Sequence, residues 1–225
     1  MTAFLQVFTL TNNSLLLDAT QHKQNNVLDT QKKIWALTKQ LKQSNEFIDL
    51  VPGMNSLTLY LKSASNLEKW QNALPDLWDK VQATTFKGTH HKIHTTYEGE
   101  DLDFVAKQTN LTPQQIIQIH SQATYHVLFL GFQPGFAYLH GLDSRLHIPR
   151  RDTPRTKVPK GAIALGAEQT AIYPAETPGG WHIIGHTNTP LFDSTHSDPC
   201  LFKPGDTLSF VSINTVQGAY SDKSS

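Results

Sequence analysis

From Tyr125 onward, glycine and proline interrupt the chain so often that no apolar run exceeds strand length. The runs are 125–130, 162–165, 170–173, 181–184 and 208–213. Each is too short to form a buried helix, and turn-forming residues bracket them. This pattern predicts an all-β barrel or sandwich of short strands.

The earlier part of the chain has a different rhythm. Residues 3–10 and 14–18 read as strands around the Thr11-Asn12-Asn13 turn. Residues 24–43 read as an amphipathic helix, with Val27, Leu28, Ile34, Trp35 and Leu41 on one stripe. Strands at 46–51 and 56–62 flank Pro52-Gly53. Ser65 and Glu68 have the capping-box spacing of a second helix, which Pro75 should kink or end. Hairpin, helix, two strands and helix make a two-layer sandwich. The expected class is therefore α+β: a small α/β sandwich domain over 1–86, then a β-barrel domain over 87–225, joined by a linker around 83–89. Within the second part, 91–97 reads as a strand and 101–108 as a short helix. Thr112-Pro113-Gln114-Gln115 is a strong helix start, and the tail 218–225 is expected to fray.

Nineteen Lys and Arg balance nineteen Asp and Glu, so nucleic acid is not the expected ligand. Cys200 is the sole cysteine, which rules out an intrachain disulfide and suits a reducing compartment. With no basic-then-apolar start and no run of membrane-spanning length, a cytoplasmic protein is expected. There is no Walker-type phosphate loop, no dinucleotide fingerprint, no nucleophile elbow and no zinc motif.

Arginine supplies the main chemical signal. Fifteen lysines are spread along the chain, but all four arginines, Arg145, Arg150, Arg151 and Arg155, fall within eleven residues. A planar two-pronged donor suits carboxylate or phosphate, and Pro149, Pro154 and Pro159 hold the segment extended. A solvated basic loop or internal ion pairs account for the same composition. The second signal is Gly131-Phe132-Gln133-Pro134-Gly135-Phe136, where glycines can expose N–H groups and aromatics can wall a pocket; a tight turn plugged by its own Phe side chains is the alternative. The third is Pro178-Gly179-Gly180-Trp181 followed by His182 and His186, which would share one face of a regular strand. No third ligand sits at a metal-like spacing from them, and none is assigned to the cluster of His90, His91 and His94. Asp143, Glu168, Glu176 and Asp193 are candidate acids or bases, and Cys200 reads as a small hydrophobe.

Six motifs then coincide in order. Residues 129–139, FLGFQPGFAYL, resemble the pattern LGF-x-PGF-x-YL. Residues 148–159 resemble PR-x-x-TPR-x-x-VP. Gln169 to Pro174, Pro178 to Trp181, Leu191-Phe192-Asp193 and Lys203-Pro204-Gly205-Asp206 continue the match, and 50–57 aligns more weakly in front. Together they resemble the allophanate hydrolase subunit 1 family, or carboxyltransferase subdomain C/D, which includes the B subunits of 5-oxoprolinase and the sporulation kinase A inhibitor. The resemblance implies a cyclophilin-like β-barrel for the second domain. It also implies two 5-oxoprolinase partners, a C-type subunit resembling allophanate hydrolase subunit 2 and an A-type subunit. The expected activity is ATP-dependent opening of 5-oxoproline to glutamate by the assembled complex, with no activity from this chain alone. ATP, with magnesium, would bind at a site shared with or carried by a partner.

The resemblance leaves two further readings: a regulatory module that inhibits a histidine kinase, and a component for allophanate or urea carboxyl transfer receiving biotin from another protein. One departure stands out, since the family's IGRT is Ile184-Gly185-His186-Thr187 here. Opening a lactam calls for cationic donors at the developing negative charge. Arg150, Arg155 and His186 are the expected catalytic groups. Arg155→Ala is expected to leave folding intact and lower complex activity at least about tenfold. Gly131, Phe132, Pro134, Gly135, Phe136, Tyr138, Gln169, Tyr173, Gly179, Gly180 and Trp181 are the expected substrate-binding positions.

Overall fold

The computed structural model describes residues 5–20, 27–83 and 87–213. In chain order these form β1 (Gln6–Thr11), β2 (Ser14–Asp18), α1 (Val27–Lys42), β3 (Phe47–Gly53), β4 (Ser56–Leu61) and α2 (Leu67–Lys80). There follow β5 (His90–Thr95), α3 (Leu102–Thr109), α4 (Pro113–Gln122), β6 (Tyr125–Leu130) and β7 (Ala137–His140). The remainder is β8 (Arg155–Val158), β9 (Ala162–Gly166), β10 (Gln169–Ile172), β11 (Thr177–Gly179), β12 (His182–His186) and β13 (Thr207–Ser212). The strands build a four-stranded sheet in the order β1-β2-β4-β3 and a barrel-like seven-stranded sheet in the order β12-β9-β10-β7-β6-β13-β5; β8 and β11 form a separate pair. This is the expected α+β class. No helix among the described residues is long and apolar enough to cross a membrane.

The chain condenses into two compact units, each discontinuous in sequence. The first comprises Met1–His90, Tyr125–His140 and Leu191–Thr207. Its core follows from strand alternation: Leu15 faces Leu59, which faces Leu50, and Leu17 faces Leu57, all inward. Ile34, Leu37 and Leu41 of α1, with Trp70, Leu74 and Trp78 of α2, close over that face. Each such leucine contributes roughly 1.5–3 kcal/mol of burial. The opposite row, Phe8, Thr58 and Val51, leaves Phe8 and Val51 exposed, with Tyr60 beside them. β6 belongs to this unit because α1 reaches it: the Trp35 indole N–H donates to the Leu128 carbonyl at 2.9 Å, and the Gln31 amide donates to it at 3.3 Å.

The second unit comprises His91–Thr124, Gly141–Pro190 and Leu208–Ser225. Thr112 caps α4 as expected: its Oγ1 accepts from Gln115 N at 3.2 Å, and Gln115 Oε1 accepts from Thr112 N at 2.8 Å. The cap aims α4 so that His120 is wholly buried between the Tyr97 hydroxyl (2.8 Å from Nδ1) and the Thr170 hydroxyl (3.0 Å from Nε2). Thr170 Oγ1 donates to the Ala164 carbonyl, so it accepts from His120 Nε2–H and leaves Nδ1 to accept from Tyr97.

Two local expectations need correction. Pro75 neither ends nor breaks α2, which runs on to Lys80 because Leu74 and Trp78 on either side of it are anchored in the core. The Ser65–Glu68 box does not form; Ser63 caps a short 3-10 turn at 64–66, and α2 starts from that turn. The first residues of the strand expected over 3–10 and of the helix expected over 24–43, part of the linker, and the tail lie outside the described residues.

Candidate functional site

Three of the four arginines enter one arrangement in the second unit. Asp101, buried just before α3, is its centre. Its Oδ1 accepts from Arg155 Nη2 at 2.7 Å and Arg151 Nη1 at 3.2 Å, and its Oδ2 accepts from Ile183 N at 2.7 Å. Arg155 Nε also reaches Glu100 at 2.8 Å. These contacts pin the arginine segment to α3 and β12. A backbone bond from Arg151 N to Gly180 O at 2.8 Å, and pairing of Arg155 with Gly179 across β8 and β11, complete the attachment. Arg150 is different. Its guanidinium stands over the Trp181 ring at 5.4 Å, and among the described residues it makes no ion pair.

Beside this clamp lies a cleft of about 500 Å³, lined by residues including Phe104, Ile148, Pro149, Arg150, Arg151 and His182. The size is ordinary for a small-molecule site. His182 is buried at the back of it, with Nε2 on the Pro149 carbonyl at 3.0 Å. Phe104 stacks on the imidazole, with ring centroids 5.0 Å apart and 17° between planes. Burial lowers the His182 pKa, which keeps the ring neutral. A neutral ring donating from Nε2 leaves Nδ1 as an acceptor, and that atom is buried without a partner, as is Arg151 Nε.

The Gly131–Phe136 loop belongs to the first unit. It turns through positive φ at Phe132 (68°) and Gly135 (81°). A side chain at Gly135 would place its Cβ 2.8 Å from Phe192 Cβ, so glycine is required there on both counts. The N–H groups of Gly131, Gln133 and Phe136 bond to carbonyls of the same loop, so these three do not form the ligand-facing backbone rim expected. Phe136 is buried edge-on to Tyr138, while Phe132 is 61 % exposed at the tip.

Residues 5–202 match the carboxyltransferase domain, subdomain C and D. The chain belongs to this family. The 5-oxoprolinase B subunit of Haemophilus influenzae is 42 % identical over 187 residues, covering 82 % of this chain and 88 % of that one. Its namesake in Escherichia coli O157:H7 is 38 % identical over 195 residues, covering 82 % and 86 %. Among solved structures, TTHA0988 aligns with a TM-score of 0.75 at 28 % identity, over 90 % of this chain and 40 % of that one. K. lactis urea amidolyase aligns with a TM-score of 0.79 at 19 % identity, a likeness of fold, over 93 % of this chain and 15 % of that one. The chain thus spans less than half the length of those solved chains.

Within this carboxyltransferase-family chain, the structure gathers Arg150, Arg155, Gly179, Gly180 and Trp181 around the clamp. Tyr173 is buried with its hydroxyl against Gly179, where a Cβ would come within 2.6 Å. Gln169 stands at the start of β10, its Nε2 buried without a partner. His186 is held elsewhere: its Nε2 is 3.0 Å from the Lys160 carbonyl. It does not share a face with His182. The register slips between Ile183 and Gly185, so His182 faces Leu165 while His186 faces Ala162, three residues away on β9 and therefore on the opposite side. Of the candidate carboxylates, Asp143 pairs with Arg145, Glu176 with Lys157 and Asp193 with His196, all at the surface. Asp101 and Phe104 were not singled out by sequence reasoning. The only signal for Asp101 is its position before an apolar helical run, which reads as an ordinary cap.

Proposed function

We propose that this chain is the B-type subunit of a heteromeric, ATP-dependent 5-oxoprolinase that opens 5-oxoproline to glutamate. The observation that carries the reading is the 42 % identity to a 5-oxoprolinase B subunit along most of both chains. The partners are subunits of the C and A types, and this chain alone is inactive. The exposed apolar row of Phe8, Val51 and Tyr60 supports a role within a complex, because such a patch is unusual on a chain that works alone.

In this reading Arg155 acts as a positioning residue through Asp101 and Glu100. His186, in place of the family's arginine, is bound to the Lys160 carbonyl and is not part of that arrangement. ATP would activate the lactam oxygen, and we assign its site, with magnesium, to a partner. That assignment is consistent with the lack of a phosphate loop in this sequence. Among the described residues no three His, Cys, Asp or Glu side chains are placed to hold a metal ion.

The test is ATP-dependent glutamate formation from 5-oxoproline by the three co-purified subunits, with and without this chain. Turnover that needs this chain is expected. Full turnover in its absence, or an assembled complex that never releases glutamate, overturns the reading.

A further inference from the structure

The cleft beside α3 has features that the family likeness does not explain. Its walls carry an arginine with no acid partner among the described residues, Arg150, and a second, Arg151, only partly committed to Asp101. Behind them sit a buried acceptor, His182 Nδ1, and a buried donor, Arg151 Nε, both without partners. Leaving such atoms unpaired costs free energy unless something completes them. Phe104 stacks on His182 and is itself 46 % exposed on its other side. Ile148 and Pro149 supply an apolar wall.

We propose that this cleft binds a small cyclic monocarboxylic acid bearing a ring N–H. Arg150 and Arg151 take the carboxylate, the ring lies on Ile148 and Pro149, and Phe104 moves off His182 so that Nδ1 accepts the ring N–H. A monoanion suits the site better than a phosphate dianion. Asp101 already offsets much of the charge of Arg151 and Arg155, and Asp152 adds a negative charge at the rim, which leaves Arg150 as the unbalanced cation. A five-membered lactam acid has all the required groups. The proposal deepens the 5-oxoproline reading above and rests on it for the choice of probe.

The test is calorimetric titration of the full chain, free and assembled with its partners. Three probes are compared: 5-oxoproline, 2-pyrrolidinone (the same ring without the carboxylate) and inorganic phosphate. 5-Oxoproline should bind, with 2-pyrrolidinone at least about tenfold weaker and phosphate weaker than the acid. Arg150→Met should weaken 5-oxoproline binding about tenfold with an unchanged melting temperature, since Arg150 is exposed and anchors no element. The His182 ring C–H signals of the wild type should shift as 5-oxoproline is added. Equal binding by Arg150→Met, equal binding of 2-pyrrolidinone, preference for phosphate, unmoved His182 signals, or no binding in either state overturns the cleft. If the complex turns over 5-oxoproline with an unchanged KM in Arg150→Met, the cleft falls and the enzymatic reading stands. If the complex never opens 5-oxoproline but the acid binds here, the enzymatic reading falls and the cleft stands.

Discussion

Asp101 holds more of the arginine segment in place than any residue within that segment. Its side chain is 6 % exposed and accepts from two guanidinium groups and one backbone N–H. Removing it would leave Arg155, whose side chain is 15 % exposed, with only the exposed Glu100 as an acid partner, and would free part of Arg151. Asp101→Ala is expected to cost about 3–5 kcal/mol, since breaking a buried pair leaves uncompensated charge. Urea unfolding checks this, and a loss below about 1 kcal/mol would show that water reaches the clamp. The clustering of arginine was legible because the residue is scarce elsewhere in the chain. Which arginine is tied down and which is available was not, because Asp101 lies fifty residues before Arg151 and nothing local marks it as a partner.

Among the elements, α4 shows a signal that is local in sequence and local in cause. Its capping box lies within four consecutive residues, so no distant contact decides it. Thr112→Ala should lower stability by about 1 kcal/mol, read as a lower urea midpoint with an unchanged slope. α2 and β12 show the opposite case. Pro75 removes one helical hydrogen bond, but the buried Leu74 and Trp78 hold the next turn in place. The slip in β12 reverses the facing of His186, and only pairing with β9 reveals it. Period-two reasoning assumes an unbroken ladder, and one extra residue defeats it.

The molecule as a whole should be sensitive to acid. Burial lowers the His120 pKa from 6.5 to about 3, and burial also raises that of Tyr97, so the pair stays neutral in the folded state. Because the folded pKa of His120 is depressed, its contribution to stability is complete above pH 6.5 and is lost as pH falls toward 3. Between pH 7 and pH 5 the loss should be about 2 kcal/mol, and burial of His182 acts in the same direction. Unfolding curves across that range should show it, and His120→Asn should flatten the dependence. A flat wild-type profile would mean that His120 takes up its proton while folded. Features whose cause lies within a few residues were set by the order of amino acids: the strand-length runs, the Thr112 cap, the inward leucines, the scarcity of arginine and the ordered family motifs. The folded arrangement chose which polar groups meet. Asp101 with Arg155, His120 with Tyr97 and Thr170, and Phe104 with His182 are separated by tens of residues. A buried polar group must take whichever partner the folded backbone brings within hydrogen-bond reach, and that distance is not written in any single segment.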